Sequence, residues 1–160
     1  MRCRPVDRGQ DGFTLVEFTI ATTVVALLSA IAVPNLSTLM PKYRLNGATR
    51  QVMSDLMAAR MKAISLNRKV QVFLPLENSP DKIYKICDDA NNDGAVDNCE
   101  GNAQVKDVQV NYASVVLYSN NNPIFYPRGT ATNMATVTIK NSKGESKTIT
   151  INITGRVKIN

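Results

Sequence analysis

Histidine is absent from this 160-residue chain, and cysteine occurs only three times. The first absence removes imidazole as a general base, as the middle member of a nucleophilic triad and as a metal ligand. No enzymatic activity is expected. Charge is missing locally as well: from Phe13 to Val33, Glu17 is the single ionisable side chain in 21 positions. A run of that length crosses a bilayer as a helix. Neither an internal repeat nor a low-complexity tract occurs.

The residues that are present divide at that run. Arg2, Arg4 and Arg8 precede it, and positive charge on that side keeps the N-terminus cytoplasmic while the remainder is exported. Ile31-Ala32-Val33-Pro34 is a poor site for ordinary signal cleavage, and the run is long for a signal peptide. Retention of the apolar segment is therefore expected. A carboxylate within such a segment costs at least a few kcal/mol by insertion scales, which marks Glu17 as a functional candidate in need of a partner. The plainer reading is that Glu17, so near the start of the run, snorkels to the headgroups. Pro34 predicts a kink or, in a filament, local melting near Ala30 to Pro34, and Pro41 a second break.

Beyond Pro41 the periodicity becomes helical. Leu45, Thr49, Val52, Leu56, Ala59, Ala63 and Leu66 recur at steps of three or four between Lys42 and Asn67, which predicts an amphipathic helix packed on a sheet. After Asn67 the period drops to two. Residues 70–74, 83–87, 108–112, 115–118, 135–139 and 148–153 read as strands. Asn141-Ser142-Lys143-Gly144 reads as a hairpin turn, and Thr154-Gly155 as a break before a last strand over 156–159. The fold class is α+β: a long N-terminal spine helix, apolar in its first half, packed on a mainly antiparallel β-sheet domain. The expected division is a leader at 1–12, an apolar helix at 13–40 and a globular domain at 41–160.

Cys87 and Cys99 are the two cysteines of that domain, and an even pair in an exported domain favours a disulfide. Between and beside them, residues 89–100 fit the twelve-residue calcium-loop template. The side chains of Asp89, Asn91, Asp93, Asp97 and Glu100 with the carbonyl of Ala95 form an oxygen set, and Gly94 permits the sharp turn. The flanks are strand and coil rather than two helices, so a polar surface loop pinned by the disulfide is the competing reading. Zinc comes third, since two thiolates without histidine make a poor site.

The net charge is +6. Lys140, Lys143, Lys147, Arg156 and Lys158 crowd the end of the chain, opposed there by Glu145. Such a patch neutralises phosphates and would give salt-sensitive DNA binding. Equally, lysines on strands are an ordinary solvated face that discourages edge pairing.

The stretch Gly12-Phe13-Thr14-Leu15-Val16-Glu17, behind an arginine-bearing leader and ahead of an apolar helix, resembles the class III signal of type IV pilins and pseudopilins. That resemblance implies cleavage after Gly12 by a prepilin peptidase and N-methylation of Phe13. It also implies pairing of Glu17 with the N-terminal amine of a neighbouring subunit, and places Pro34 at the proline those helices carry. The charge pairing is physically sound, because an ammonium offsets the cost of a buried acid. The layout, with Phe125-Tyr126-Pro127-Arg128-Gly129 and Gly155-Arg156-Val157-Lys158-Ile159, is similar to the GspH/FimT-type branch of minor pilins and pseudopilins. The resemblance implies a non-enzymatic subunit, single-pass in the inner membrane with a periplasmic domain, that joins other pilins in a filament of a type IV pilus or type II secretion system. No cofactor is required on that reading, with Ca2+ as the candidate ion. Some members bind DNA through a segment beginning Gly-Arg, which makes Arg156 and Lys158 the candidate DNA contacts; Lys158 stands where a second arginine is usual.

Overall fold

One α-helix, α1, occupies Leu15–Leu66. The computed structural model describes residues 12–90, Val96, Cys99 and residues 103–160, the side chains of 33–35 excepted. Two compact units result, Met1–Thr38 and Leu39–Asn160. The break expected at Pro41 does not occur, and the single chain is helical through Ala30 to Pro34. A proline deletes one N–H donor, and the flanking i to i−4 bonds can carry the helix through.

Within Leu39–Asn160, α1 buries Leu45, Ala48, Thr49, Val52, Leu56, Ala59 and Ala63. This is the expected stripe with Ala48 added. Each large aliphatic side chain so buried contributes about 1.5–3 kcal/mol relative to exposure. The Thr49 hydroxyl is satisfied by donating to the Leu45 carbonyl at 2.7 Å. Leu66, expected on the same stripe, remains 45% exposed because the helix ends there. Asn67 takes a left-handed conformation (φ 52), its N–H bonding to Ile64 O while Arg68 N–H bonds to Ala63 O. That pair of bonds is a Schellman C-cap, with asparagine in place of the commoner glycine.

Among the described residues eight strands come after the helix: β1 Val70–Phe73, β2 Ile83–Asp88, β3 Gln104–Asp107, β4 Val115–Ser119, β5 Ile124–Phe125, β6 Ala135–Asn141, β7 Ser146–Ile151 and β8 Val157–Ile159. They form two four-stranded sheets, ordered β3-β2-β1-β5 and β4-β6-β7-β8, with every strand pairing antiparallel. The strand expected over 108–112 is a correction. Val108–Val110 form a 3-10 turn, because the Asp107 carboxylate caps it by accepting the Gln109 N–H at 2.8 Å. The strand in that region is β3, just upstream.

Alternation then builds the core. In β6 the side chains of Ala135, Val137 and Ile139 are buried, while Thr136, Thr138 and Lys140 are not. The inner faces of both sheets and the buried stripe of α1 share one apolar cluster. The β6–β7 connection is the predicted hairpin, with Gly144 at φ 79 and Asn141 N–H bonded to Glu145 O at 3.0 Å. The outer edge of β4 is covered: Asp81 exchanges two backbone bonds with Leu117, and Ser119 N–H bonds to Pro75 O. Covering an edge in this way blocks stray strand pairing.

Candidate assembly and contact surfaces

In the first unit, Thr14 is the helix N-cap, its hydroxyl accepting the Glu17 N–H at 3.2 Å. Glu17 is therefore the third residue of the helix, within reach of the positive end of the helix dipole. Leu15–Ala32 has a mean hydropathy of 2.0 and is 0% buried. Phe13, Leu15 and Ile31 are all wide open to the surroundings. The polar side chains among them close on their own backbone: Thr19, Thr22, Thr23 and Ser29 donate to carbonyls three or four residues back at 2.8–3.0 Å. Hydroxyls satisfied within the helix do not oppose an apolar environment. Among the described residues, a Cβ added at Gly12 would meet nothing within 4 Å. The helical backbone passes through Pro34, whose side chain lies outside the described set.

At the end of α1, the base of the 88–99 loop is tied down from several sides. Cys87 and Cys99 form a disulfide with Cα atoms 4.9 Å apart. Lys62 pairs with Asp88 at 3.1 Å, Arg68 donates to Ala90 O at 3.2 Å, and Asp89 N–H bonds to Lys69 O at 3.0 Å. Asp89 is 3% exposed and Val96 5%. Of the candidate calcium ligands only Asp89 is described; Asn91, Asp93, Ala95, Asp97 and Glu100 lie outside the described residues.

The two C-terminal motifs meet. Gly155 (φ +74) packs so closely on Gly129 (φ +80) that an added Cβ would overlap the Gly129 carbonyl oxygen. Arg60, from α1, donates Nε–H to that same oxygen at 2.8 Å. Arg156 and Lys158 leave this junction exposed, on either side of buried Val157. The Arg60 anchor has no signature in the helical pattern, where it reads as one more polar-face residue. A second cluster is also tertiary in origin. The Tyr84 hydroxyl donates to Asp55 Oδ2, and Lys106 approaches Asp55 at 3.6 Å. Burial foremost, then the bond to Asp55 and its charge, push the Tyr84 phenol well above its ordinary range.

A bare apolar helix that continues into one packed on antiparallel sheets is the pilin-like arrangement. Residues 48–155 match the family model described as Type II transport protein GspH. The chain belongs to that family. Among solved structures it is similar to the type IV minor pilin FimU of Pseudomonas aeruginosa (strain PAO1) in two crystal forms. One has 18% identity and TM-score 0.53 over 72% of this chain and 92% of that one. The other has 19% and 0.55 over 74% and 90%. It is also similar to the minor pseudopilin EpsH from the Type 2 Secretion System of Vibrio cholerae, with 10% identity and TM-score 0.55 over 73% and 96%. At these identities the likeness shows a shared fold. No curated protein sequence matches the chain.

Proposed function

We propose that the chain is a minor pilin or pseudopilin: a structural, non-enzymatic subunit held in the inner membrane by its apolar helix, cut after Gly12 by a prepilin peptidase, and assembled with other pilins through that helix. The observation that carries this is the wholly uncovered span Leu15–Ala32, attached to a domain of the GspH family. A surface of that hydropathy needs lipid or neighbouring helices. Processing at Gly12 is supported by the stretch Gly12-Phe13-Thr14-Leu15-Val16-Glu17, which resembles the class III signal. For Glu17, the N-cap geometry puts the carboxylate in the first turn, one turn from the new Phe13 amine that cleavage would create. A neighbouring subunit's amine would pair with it and set axial register.

Glu17→Ala tests the register role: membrane insertion and processing continue, while incorporation into sheared filaments falls. Normal incorporation of this variant would remove Glu17 from assembly. A bulky replacement at Gly12 should leave the precursor uncut. Whether the filament is a pilus or a secretion pseudopilus is decided by deleting the gene and comparing surface pili with the secreted protein profile of one culture. The buried Asp89 beside the disulfide supports the calcium reading of the 89–100 loop. Titrating calcium into the full chain should then raise its melting temperature.

A further inference from the structure

The outward face of the second sheet has a charge pattern that the filament role does not use. In β6, Thr136, Thr138 and Lys140 alternate with buried neighbours, and in β7 Thr148 and Thr150 alternate with buried Ile149 and Ile151. Register sets Thr138 beside Thr148 and Thr136 beside Thr150, so four threonines form a two-by-two grid in the middle of the face. The hydroxyls of Thr136, Thr138 and Thr148 make no hydrogen bond among the described residues, whereas Thr150 accepts from Asn160 Nδ2 at 2.8 Å.

Cations occupy two opposite corners of this grid. Lys140 lies across from Ser146 of β7, its ammonium 5.1 Å from the Tyr118 ring centroid. Lys158 lies across from Thr150, with Arg156 just before it. From Ser146 to Thr150 is about 14 Å along the strand, and from β6 to β8 about 10 Å across, so the corners stand about 17 Å apart. Glu145 is the only acid in residues 108–160. It is already engaged by Asn141 at 2.9 Å and Lys42 at 3.4 Å.

The strands of this sheet carry no acidic side chain, and the face is cationic at two corners and hydroxyl-rich between them. A nucleic-acid duplex carries one charge per about 1.7 Å of axis, about ten along such a diagonal, and most of these would face neutral threonines. A polymer with one carboxylate per sugar, less densely charged than DNA and with hydroxyls between its charges, matches the pattern better. We infer that this face binds an acidic polysaccharide, with carboxylates on Lys140 and on the Arg156–Lys158 pair and sugar hydroxyls on the threonine grid. Arg156 offers a carboxylate a two-pronged contact. The threonines, as donors and acceptors at once, suit sugar hydroxyls.

The test uses the full chain in mild detergent, with fluorescent polygalacturonate oligomers, a short DNA duplex and neutral dextran as probes, followed by anisotropy. Polygalacturonate should bind, and dextran should not. Lys140→Ala and the double variant Arg156→Ala/Lys158→Ala should each weaken binding about tenfold. Thr138→Val/Thr148→Val, which keeps shape and strand preference, should weaken it as well while leaving the melting temperature in place. Absence of polygalacturonate binding at millimolar concentration would overturn the proposal. So would tighter binding of DNA that is indifferent to the threonine variant, an outcome that assigns the cations to phosphate instead.

Discussion

Gly155 and Gly144 share a left-handed backbone, φ +74 and +79, in unlike surroundings, so alanine at each separates strain from contact. Left-handed φ costs a non-glycine residue about 1–2 kcal/mol. At Gly144 nothing lies within 4 Å of an added Cβ, and that cost is the whole effect. At Gly155 the Cβ would overlap the Gly129 carbonyl and sit 3.0 Å from Arg60 Nε. Relief requires the two turns to separate, which stretches the 2.8 Å bond from Arg60 to Gly129, a charge-assisted bond of about 1.5–3 kcal/mol. Gly155→Ala should therefore cost about 3–5 kcal/mol, a large part of the about 5–15 kcal/mol that keeps a domain folded. At about 4 °C per kcal/mol for this size, Tm falls by about 12–20 °C, against about 4–8 °C for Gly144→Ala.

Thermal unfolding of the full chain in detergent, followed by near-ultraviolet tyrosine circular dichroism, reads both shifts; the chain has no tryptophan and five tyrosines. Adding Arg60→Ala to Gly155→Ala should cost less than the sum of the single changes, since both act on one bond. Equal shifts for the two glycine variants, or strict additivity with Arg60→Ala, would refute the close packing of Gly155 on Gly129 as the source of the cost.

Two further outcomes are expected. Tyr84 has its phenol pKa raised by burial and by Asp55, so the folded state holds a proton that the unfolded chain releases near the ordinary value of 10.0. Its contribution to stability is complete below that pH and is lost as pH climbs above it. Tyr84→Phe should flatten that alkaline decline at a cost of about 1 kcal/mol at neutral pH, and an unchanged slope in denaturant melts across the alkaline range would contradict the assignment. Reducing the Cys87–Cys99 bridge, whose cysteines are 12 residues apart, should remove about 3 kcal/mol in the chain-entropy picture. Urea midpoints with and without reductant measure it, and coincident midpoints would mean that the tethers from Lys62 and Arg68 already hold the loop.

Much of the architecture is visible in periodicity. The stripe from Leu45 to Ala63 repeats at helical spacing, and β6 and β7 alternate at period two, so both announce their buried faces. The departures from pattern have local causes. Val108-Gln109-Val110 alternates like a strand, but Asp107 directly before it supplies a side-chain acceptor that folds it into a 3-10 turn. β5 is only two residues long and owes its existence to pairing with Val70 and Gln71, which no window of its own sequence can report. Ala48, three residues after Leu45 and four before Val52, fits the stripe as well as Thr49 beside it, and both are buried, while Leu66 fits by spacing yet stays exposed because the C-cap at Asn67 ends the helix under it.

The candidate sites divide along the same line. Thr14 and Glu17 are separated by three residues, and the bond between them is local to one helical turn. The long uncharged run is likewise local, since hydropathy along a single helix needs no partner to be read. By contrast, the joining of Gly129, Gly155 and Arg60 spans most of the domain in sequence, and so does the threonine grid with a cation at each far corner. Sequence alone determined the apolar helix, the buried stripe and most of the strands, because each follows from neighbours a few residues apart. Only the tertiary structure decided the two-sheet split, the strand order and which side chains share the outer face, because these depend on register between strands whose contacts their own sequences do not encode separately.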